Sequence, residues 1–428
     1  MDYSRLASRL DNIAPFHVME LAKMAATLEQ QGRDIIHMGI GEPDFTAAAP
    51  VIAAAAQAMA DGRMQYTSAT GLPALRQAIA RHYADVYGLD IAPSRIIVTA
   101  GASAALLLAC AALVEKGAEV LMPDPSYPCN RHFVAAFDGI ARMIPSGPEH
   151  RFQLSEVMVQ EHWNEATRGV LLASPSNPTG TSITHDELRR IHAVVKARGG
   201  FTIVDEIYQG LSYDEAPFSA LSLDDEIIII NSFSKYFNMT GWRLGWLVVP
   251  PAMVAPIEKL AQNLFICASS IAQHAALACF TPESIAIYEA RKAEFKRRRD
   301  YLVPALRELG FKVPVVPDGA FYVYADCSEL DDDADRLTLD MLNQAGVVLV
   351  PGLDFGPFTA HRFIRVSYAT SMENLQAAMA RLKVFFEGRP RPQRRSEVAS
   401  ARPKESDQTS VSMLLPHEND AQSGAASI

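Results

Sequence analysis

A lysine beside two spaced serines follows a long apolar run, in the stretch "SFSKYFNMTGWRLGW" that begins at Ser232. In an extended segment Ser232 and Ser234 share one face, so both hydroxyls can point to the same ligand as Lys235. A lysine whose pKa is lowered by a nearby cation can condense with an aldehyde, and Arg243 could bind a phosphate of the same ligand. Taken alone, the stretch is equally compatible with a turn that carries a solvated lysine and arginine.

Two other polar side chains stand directly after apolar runs. Asp205 ends the run in "IVDEIY", where an unpaired carboxylate is costly to bury, so it needs a cationic partner or a route to water. A structural salt bridge is the alternative. Asn177 lies in "SPSNPTG" on a turn formed with Pro178 and Gly180, and ordinary turn chemistry would also explain it.

The stretch "TAGASAALLLA" places small residues before a segment of helical length. The free backbone N–H groups of such a helix start, together with the hydroxyl of Ser103, could hold a phosphate. An ordinary helix cap is the alternative. The stretch lacks the lysine of a nucleoside-triphosphate loop, and "GIGEPDF" does not match the dinucleotide pattern.

The elements that must position these residues alternate between apolar runs and amphipathic segments from Asp34 to Val249. The predicted strands are "RIIVTA", "AEVLMPD", "ARMIP", "GVLLASPS", "FTIVDE", "EIIIINSFSK" and "LGWLVV"; the predicted helices include one that Gly117 ends and one over 184–198. Continuous apolar runs favour an open, mostly parallel α/β sheet covered on both faces. Ligands of such sheets bind at the carboxyl ends of the strands, which gathers the following residues at one edge: Gly101, Ala102, Ser103, Tyr127, Asn177, Asp205, Tyr208, Ser232, Ser234, Lys235 and Arg243.

The remaining chain divides into three parts. Residues 251–309 are predicted to be helical, with the basic run in "YEARKAEFKRRRDYLVPALRELG" as a solvated helix face. After Gly310, the strands "FKVPVVP", "AFYVYAD" and "RFIRVSYA" alternate with two helices and indicate a small α+β domain that ends near Glu387. Residues 388–428 are rich in polar residues and proline, and we expect them to be disordered.

Composition excludes several classes of function. The 428 residues carry a formal net charge of -10 and a pI near 5.6, which disfavours binding to nucleic acid. The five cysteines show no metal-ligand spacing, so neither a zinc site nor a disulfide framework is expected. The amino terminus has no apolar targeting segment and no window is long enough to span a membrane, so we expect a cytoplasmic protein without a membrane partner.

Together these motifs resemble the pyridoxal-phosphate-dependent class I/II aminotransferases of fold type I. The matching stretches, in the order of that family, are "GEPDF", "YTSATGLPALRQAI", "DPSYP", "SPSNPTG", "DEIYQGLSYD", "SFSKYFNMTGWRLGW", "GAFYVYAD" and "RFIRVSYA". The resemblance implies a mostly parallel central sheet with helices on both faces and a smaller α+β domain. It also implies an N-terminal arm and small-domain segment (1–45), a large cofactor-binding domain (46–285), a C-terminal small domain (286–387) and a tail (388–428).

The resemblance assigns roles around pyridoxal 5'-phosphate. Lys235 would bind the cofactor covalently and later carry the proton of the substrate Cα, while Asp205 would pair with the pyridine nitrogen. Tyr208 and Asn177 would hydrogen-bond the phenolic oxygen, and Tyr127 would stack on the ring. The phosphate would be held by Ala102, Ser103, Ser232, Ser234, Arg243 and, from a neighbouring subunit, Tyr66, so a homodimer with shared sites is implied.

The substrate would be bound by Arg365, whose guanidinium suits a carboxylate, and by the backbone of Gly41. Phe16 or His17 would line the substrate pocket. Two positions depart from relatives: Gly101 replaces a phosphate-binding serine, and Ser103 stands where some aspartate-acting relatives have a lysine for the distal carboxylate. The second departure disfavours a dicarboxylic donor.

The resulting prediction is an aminotransferase that exchanges an amino group between an L-amino acid and a 2-oxo acid by a ping-pong mechanism, with glutamate and 2-oxoglutarate as one pair. A pyridoxal-phosphate-dependent β-lyase or decarboxylase on the same scaffold is the alternative, since the cofactor motifs are shared. A noncatalytic ligand-binding domain of a regulator is a third hypothesis, which the presence of Lys235 and the acidic composition disfavour. The identity of the amino donor stays open.

Overall fold

The computed structural model describes residues 6–15 and 17–389, all within one compact unit. Its helices are α1 (His17–Gln30), α2 (Ala49–Ala60), α3 (Pro73–Tyr87), α4 (Ala102–Leu113), α5 (Pro128–Ala135), α6 (Glu156–His162), α7 (His185–Ala197), α8 (Val254–Leu264), α9 (Ser270–Ala276), α10 (Pro282–Leu309), α11 (Ala334–Asp340) and α12 (Met372–Phe386). Its strands are β1 (Ile36–His37), β2 (Ile96–Thr99), β3 (Glu119–Asp124), β4 (Ile140–Pro145), β5 (Thr167–Ala173), β6 (Phe201–Asp205), β7 (Ile228–Ser232), β8 (Gly245–Val248), β9 (Tyr322–Asp326), β10 (Val347–Val348), β11 (Val350–Pro351) and β12 (Phe363–Ser367). The predicted tail lies outside the described residues from residue 390 onward.

The central sheet has seven strands in the order β2-β8-β7-β6-β5-β3-β4. Only β8 runs antiparallel to its neighbours, so the prediction of a mostly parallel sheet is confirmed. Apolar clusters cover both faces: Ile203 of β6 packs in the cluster formed with α4 and α8, and the adjacent Val204 packs in the cluster on the opposite face. This double burial explains why the strands are continuous apolar runs.

Two local predictions were wrong. Helix α4 ends at Leu113, four residues before Gly117, because the chain already turns to an extended conformation at Val114. The stretch "FKVPVVP" is not a strand and contributes only an isolated bridge between Lys312 and Asp326. Its two prolines lack the N–H group that a ladder of hydrogen bonds requires.

The basic run of α10 is only partly the solvated face that was predicted. Arg297 is exposed, but Arg298 and Arg299 are buried. The Nη1 atom of Arg298 lies 2.8 Å from a carboxylate oxygen of Asp44, and that of Arg299 lies 2.6 Å from one of Asp214. Buried guanidinium groups require such partners, and the sequence pattern did not indicate them.

The amino-terminal segment joins the carboxyl-terminal part of the fold. Strand β1 pairs in parallel with β10, and Leu21 of α1 packs against Leu342 and Val348. A three-stranded antiparallel sheet, β11-β12-β9, places Arg365 between Val350 and Tyr324. The predicted domain boundary after residue 285 falls inside α10, so one continuous helix would link the two domains. None of the helices in the described ranges combines the length and the apolar character needed to cross a membrane.

Candidate active site

One cavity of about 800 Å³ lies at the carboxyl edge of the central sheet and contains nearly all the predicted site residues. These are Gly41, Ala102, Ser103, Tyr127, Asn177, Asp205, Tyr208, Ser232, Ser234, Lys235, Arg243 and Arg365. Most follow the carboxyl ends of β2, β3, β5, β6 and β7. Arg243 precedes β8, and because β8 is antiparallel, its amino end lies at the same edge.

Lys235 is the amine of this cavity. Its Nζ atom donates a hydrogen bond of 2.5 Å to the backbone oxygen of Gly41. Burial lowers the pKa of Lys235 to about 8, and the positive charges of Arg365 and Arg243 act in the same direction, while the carboxylate of Glu42 opposes them. A lysine with this pKa is partly neutral near pH 8 and can act as a nucleophile or a base.

Asp205 is the buried acid at the end of β6. One carboxylate oxygen accepts a hydrogen bond of 3.0 Å from the backbone N–H of Ile207. Burial raises the pKa of Asp205 to about 7, and this N–H and the charge of Lys235 oppose the shift. Besides Lys235, another cation in the cavity would stabilise the ionised carboxylate, and a cationic partner is one of the two solutions that the burial argument from the sequence allows.

Tyr208 is paired with a tyrosine that the sequence analysis did not assign to the site. The hydroxyl groups of Tyr208 and Tyr322 lie 2.8 Å apart, and burial raises the pKa of both phenols. Tyr322 also explains the glycine at position 41, because a Cβ atom on Gly41 would lie 2.5 Å from the Tyr322 hydroxyl oxygen. Tyr322 stands in the motif "GAFYVYAD", so the sequence signal for this residue was its place in one of the family-like stretches.

Arg365 is held in the cavity by two hydrogen bonds. Its Nη1 atom donates to the side-chain oxygen of Asn177 at 2.8 Å, and its Nη2 atom donates to the backbone oxygen of Gly39 at 2.5 Å. The guanidinium group stacks over the Tyr322 ring, 4.5 Å from its centroid, and its Nε atom is buried without a partner among the described residues. A guanidinium group in a buried cavity that still has N–H groups available for hydrogen bonds is suited to bind a carboxylate.

Serine hydroxyls and an arginine form the opposite end of the cavity. The hydroxyl oxygens of Ser232 and Ser234 lie 2.9 Å apart, so the predicted shared face is confirmed. The Nη1 atom of Arg243 donates to the backbone oxygen of Thr240 at 3.0 Å, and the guanidinium lies beside Gly101 at the start of α4. Gly101 has a φ of 84°, and a Cβ atom there would lie 2.8 Å from Nη2 of Arg243, so a serine does not fit this backbone.

Three predictions about the walls of the cavity have different outcomes. Tyr127 lines the cavity and interacts with Cys129, whereas Tyr66 is 80% exposed and lies outside the cavity of its own chain. Phe16 is outside the described residues. His17 does not line the cavity; the next two residues of α1, Val18 and Met19, do so instead.

Sequence reasoning missed several further lining residues: Val18, Met19, Ile40, Glu42, Leu106, Ala173, Ile207, Thr240, Gly241 and Tyr322. Some adjoin an assigned residue in the sequence, as Ile40 and Glu42 adjoin Gly41. Leu106 follows Ser103 by three positions, which places both on one face of α4. For Val18 and Met19 the only signal was their proximity to "IAPFH" in the sequence.

Comparisons with known proteins give one family match and several related chains. The family model described as aminotransferase class I and II matches residues 33–382. The chain is 37% identical to a valine–pyruvate aminotransferase of Mycobacterium tuberculosis over 86% of this chain and 96% of the relative, and 33% identical to an aspartate aminotransferase of Geobacillus stearothermophilus over 90% and 100%. The crystal structure of an aminotransferase from Mycobacterium tuberculosis superimposes with a TM-score of 0.87 at 36% identity, over 90% of this chain and 99% of that one. The aspartate aminotransferase of Thermus thermophilus with maleate superimposes with a TM-score of 0.84 at 32% identity, over 89% and 99%.

Proposed function

Because the chain belongs to the class I and II aminotransferases, which use pyridoxal 5'-phosphate, we propose that it exchanges an amino group between an L-amino acid and a 2-oxo acid by a ping-pong reaction. The observation that carries this proposal is the presence of Lys235, Asp205 and Arg365 in one cavity. The alternative of a β-lyase or decarboxylase is disfavoured, since the valine–pyruvate and aspartate enzymes that match the chain are aminotransferases.

The cavity fits a phosphorylated aromatic aldehyde. Arg243, Ser232, Ser234 and the backbone of Ala102 and Ser103 at the start of α4 would hold the phosphate. Asp205 would bind the protonated ring nitrogen, and that cation would offset the burial that raises the pKa of Asp205. Tyr208 and Asn177 would donate to the ring hydroxyl oxygen, and Tyr127 would cover one face of the ring.

The chain's own groups would bind the substrate and move its proton. The bound cofactor supplies an electron sink for the electrons of the substrate Cα–H bond. Arg365 would bind the α-carboxylate through the N–H groups that Asn177 and Gly39 leave free, and the backbone of Gly41 would lie beside that carboxylate. The Nζ atom of Lys235, whose pKa lies near 8, would then take the proton from the substrate Cα and return it.

The side chains of the two amino acids in the exchange would be bound by different groups of the cavity. We keep glutamate and 2-oxoglutarate as one pair, following the resemblance. Of the described lining residues only Lys235, Arg243 and Arg365 carry a positive charge, and each has another role, so a distal carboxylate would rely on polar groups or on a second subunit. An apolar amino acid as the other substrate is supported by the apolar lining and by the relative that is named for valine and pyruvate.

A homodimer with shared active sites is part of the proposal. Apolar side chains that are about half exposed support it, namely Ile52, Met59, Met64, Leu264 and Ile266. Tyr66 follows Met64 in the same loop, and Ser270 and Gln273 of α9 hold this loop by hydrogen bonds to Gln65 and Thr67. Burying these side chains against a second copy would remove them from water and bring Tyr66 toward the other subunit. The cytoplasmic location and the domain limits at 45, 285 and 387 remain predictions from the sequence.

The experiment that tests the function follows the absorbance of the bound cofactor. The purified protein should show a visible band that is lost when a suitable amino acid is added without an oxo acid and returns when a 2-oxo acid follows. Lys235→Ala should abolish the band and its conversion, whereas Lys196→Ala, which changes a surface lysine paired with Asp224, should leave both intact. A stable band that none of the twenty amino acids converts would refute the aminotransferase proposal.

A further inference from the structure

The first turn of helix α1 is bound to a residue more than 330 positions away in the sequence. Asp354 accepts a hydrogen bond on each carboxylate oxygen, one from the backbone N–H of His17 and one from that of Val18, both at 3.0 Å. Asp354 is 1% exposed, so this cap is buried. A carboxylate at this position satisfies two N–H groups that have no partner within the helix, and it favours the helix dipole.

The same residue is linked to the wall on which Tyr127 lies. The backbone oxygen of Asp354 accepts a hydrogen bond of 3.0 Å from Nη2 of Arg131, which belongs to α5. The backbone oxygen of the next residue, Phe355, accepts one of 2.9 Å from the N–H of Ser126. Helix α5 begins directly after Tyr127, so the loop around Asp354 connects the cofactor side of the cavity with the start of α1.

The start of α1 forms an apolar part of the cavity wall. Val18 and Met19 line the cavity together with Ile40. Ile40 lies between Gly39, which binds Arg365, and Gly41, which binds Lys235, so this wall is at the substrate end of the cavity. Met19 is 54% exposed, and Val18 packs against the apolar cluster that contains Phe355. Side-chain packing therefore holds Val18 more firmly than Met19, and the position of Met19 depends on the helix backbone.

We propose that Asp354 is a positioning residue that holds Val18 and Met19 as the wall against the substrate side chain, and that this wall selects an amino donor with an apolar side chain. The inference rests on the proposed function and names the substrate class of the same site. Arg365 would bind the α-carboxylate and Lys235 would move the Cα proton, and all amino acid substrates have both groups. The remaining wall of the cavity therefore has to distinguish one amino acid from another. In an apolar pocket each additional methylene group of the substrate that the wall covers changes kcat/KM by about 10- to 200-fold.

The test compares Asp354→Asn with Asp326→Asn. The asparagine at 354 keeps the size of the side chain and one acceptor oxygen, but it leaves one N–H of α1 without its partner. Asp326 is a matched control, since it is a buried carboxylate of the neighbouring sheet that accepts hydrogen bonds from Ser328 and Arg362. Rates of cofactor conversion are measured with alanine, valine, leucine, aspartate and glutamate, together with the melting temperature.

We expect wild-type protein to prefer leucine or valine to alanine and aspartate. Asp354→Asn should raise KM for leucine about tenfold, since a tenfold change in binding corresponds to the loss of one hydrogen bond of a charged group. It should change kcat and the KM for alanine only slightly. Asp326→Asn should leave the leucine-to-alanine ratio of kcat/KM unchanged, even if it lowers the melting temperature. Met19→Ala, a change at a half-exposed position, should reduce the same ratio in a protein of wild-type stability.

Either of two results would overturn the inference. The first is an unchanged leucine-to-alanine ratio in either variant: in Asp354→Asn it would leave Asp354 a structural cap only, and in Met19→Ala it would exclude Met19 from the wall. The second is a wild-type preference for aspartate or glutamate over every apolar donor. Both results are distinct from failure of the proposed function, because in both of them the visible band is still converted by an amino acid.

Discussion

The guanidinium group of Arg365 and the side-chain amide of Asn177 are hydrogen-bonded to each other, with 2.8 Å between Nη1 and the amide oxygen. The two residues come from different sheets, since Asn177 follows β5 of the central sheet and Arg365 lies in β12 of the small one. The bond therefore orients the group that we propose binds the substrate carboxylate with respect to the group that we propose binds the cofactor ring. Stacking over Tyr322 and Phe355 fixes the plane of the guanidinium.

Replacing Arg365 by lysine should weaken substrate binding. We expect KM for every amino acid to rise by about 10- to 100-fold, because an ammonium group cannot form a bidentate contact and charge-assisted hydrogen bonds are worth about 1.5–3 kcal/mol. Half-reaction kinetics by absorbance measure this. Arg362→Lys is the control, since that residue immediately precedes β12, lies outside the cavity and pairs with Asp326. Equal effects of the two changes would contradict the assignment of Arg365.

The reactivity of Lys235 should depend on pH with a midpoint near 8. Burial lowers its pKa to about 8, so the neutral amine that reacts with an aldehyde increases as pH rises through 8 rather than through the usual range near 10.5. The rate at which cofactor-free protein binds pyridoxal 5'-phosphate covalently should rise steeply between about pH 7 and 8 and level off above about 9. Stopped-flow absorbance measures the rate.

A variant checks the cause of that pH dependence. The negative charge of Asp205 raises the pKa of Lys235, so Asp205→Asn should move the midpoint to lower pH. A midpoint that moves to higher pH in Asp205→Asn would contradict the effect assigned to the charge of Asp205. A wild-type rate that still increases about tenfold between about pH 9 and 10 would contradict the lowered pKa of Lys235.

Gly41→Ala should disturb the cavity through Tyr322. The new Cβ atom would lie 2.5 Å from the Tyr322 hydroxyl oxygen, so the variant should lose about 1–3 kcal/mol of stability and bind substrate more weakly. Adding Tyr322→Phe removes the clashing oxygen, and we expect the double variant to recover stability and KM relative to Gly41→Ala. Thermal unfolding and half-reaction kinetics form a double-mutant cycle, and strict additivity of the two changes would exclude the contact.

Mixed subunits test whether Tyr66 acts in the neighbouring site. Alone, Lys235→Ala should be inactive and Tyr66→Ala should be weakly active. If subunits are exchanged, a hybrid dimer has one site with both native residues, so an equal mixture should regain about a quarter of wild-type activity by the statistics of pairing. No recovery in a mixture shown to contain hybrid dimers would show that Tyr66 does not act in the neighbouring site.

Much of the cavity was determined by the sequence itself. Strands that are buried on both faces of a sheet appear in the sequence as continuous apolar runs. In a parallel sheet the residues that follow these runs lie at the same edge, which is where ligands bind. For this reason Asp205, Asn177 and Lys235 could be assigned from the order of residues alone, and all three line one cavity. The motif order around them was also sufficient to indicate the family.

Other features were decided only by tertiary structure. The cap of α1 by Asp354, the pairing of Tyr208 with Tyr322 and the buried ion pair of Arg298 with Asp44 all join residues more than 100 positions apart. No local periodicity carries information about such contacts, because they depend on how finished elements pack. The same reason applies to the start of α1: the resemblance implied that this segment lies near the substrate, but the helix cap determines that Val18 and Met19, rather than His17, face the cavity.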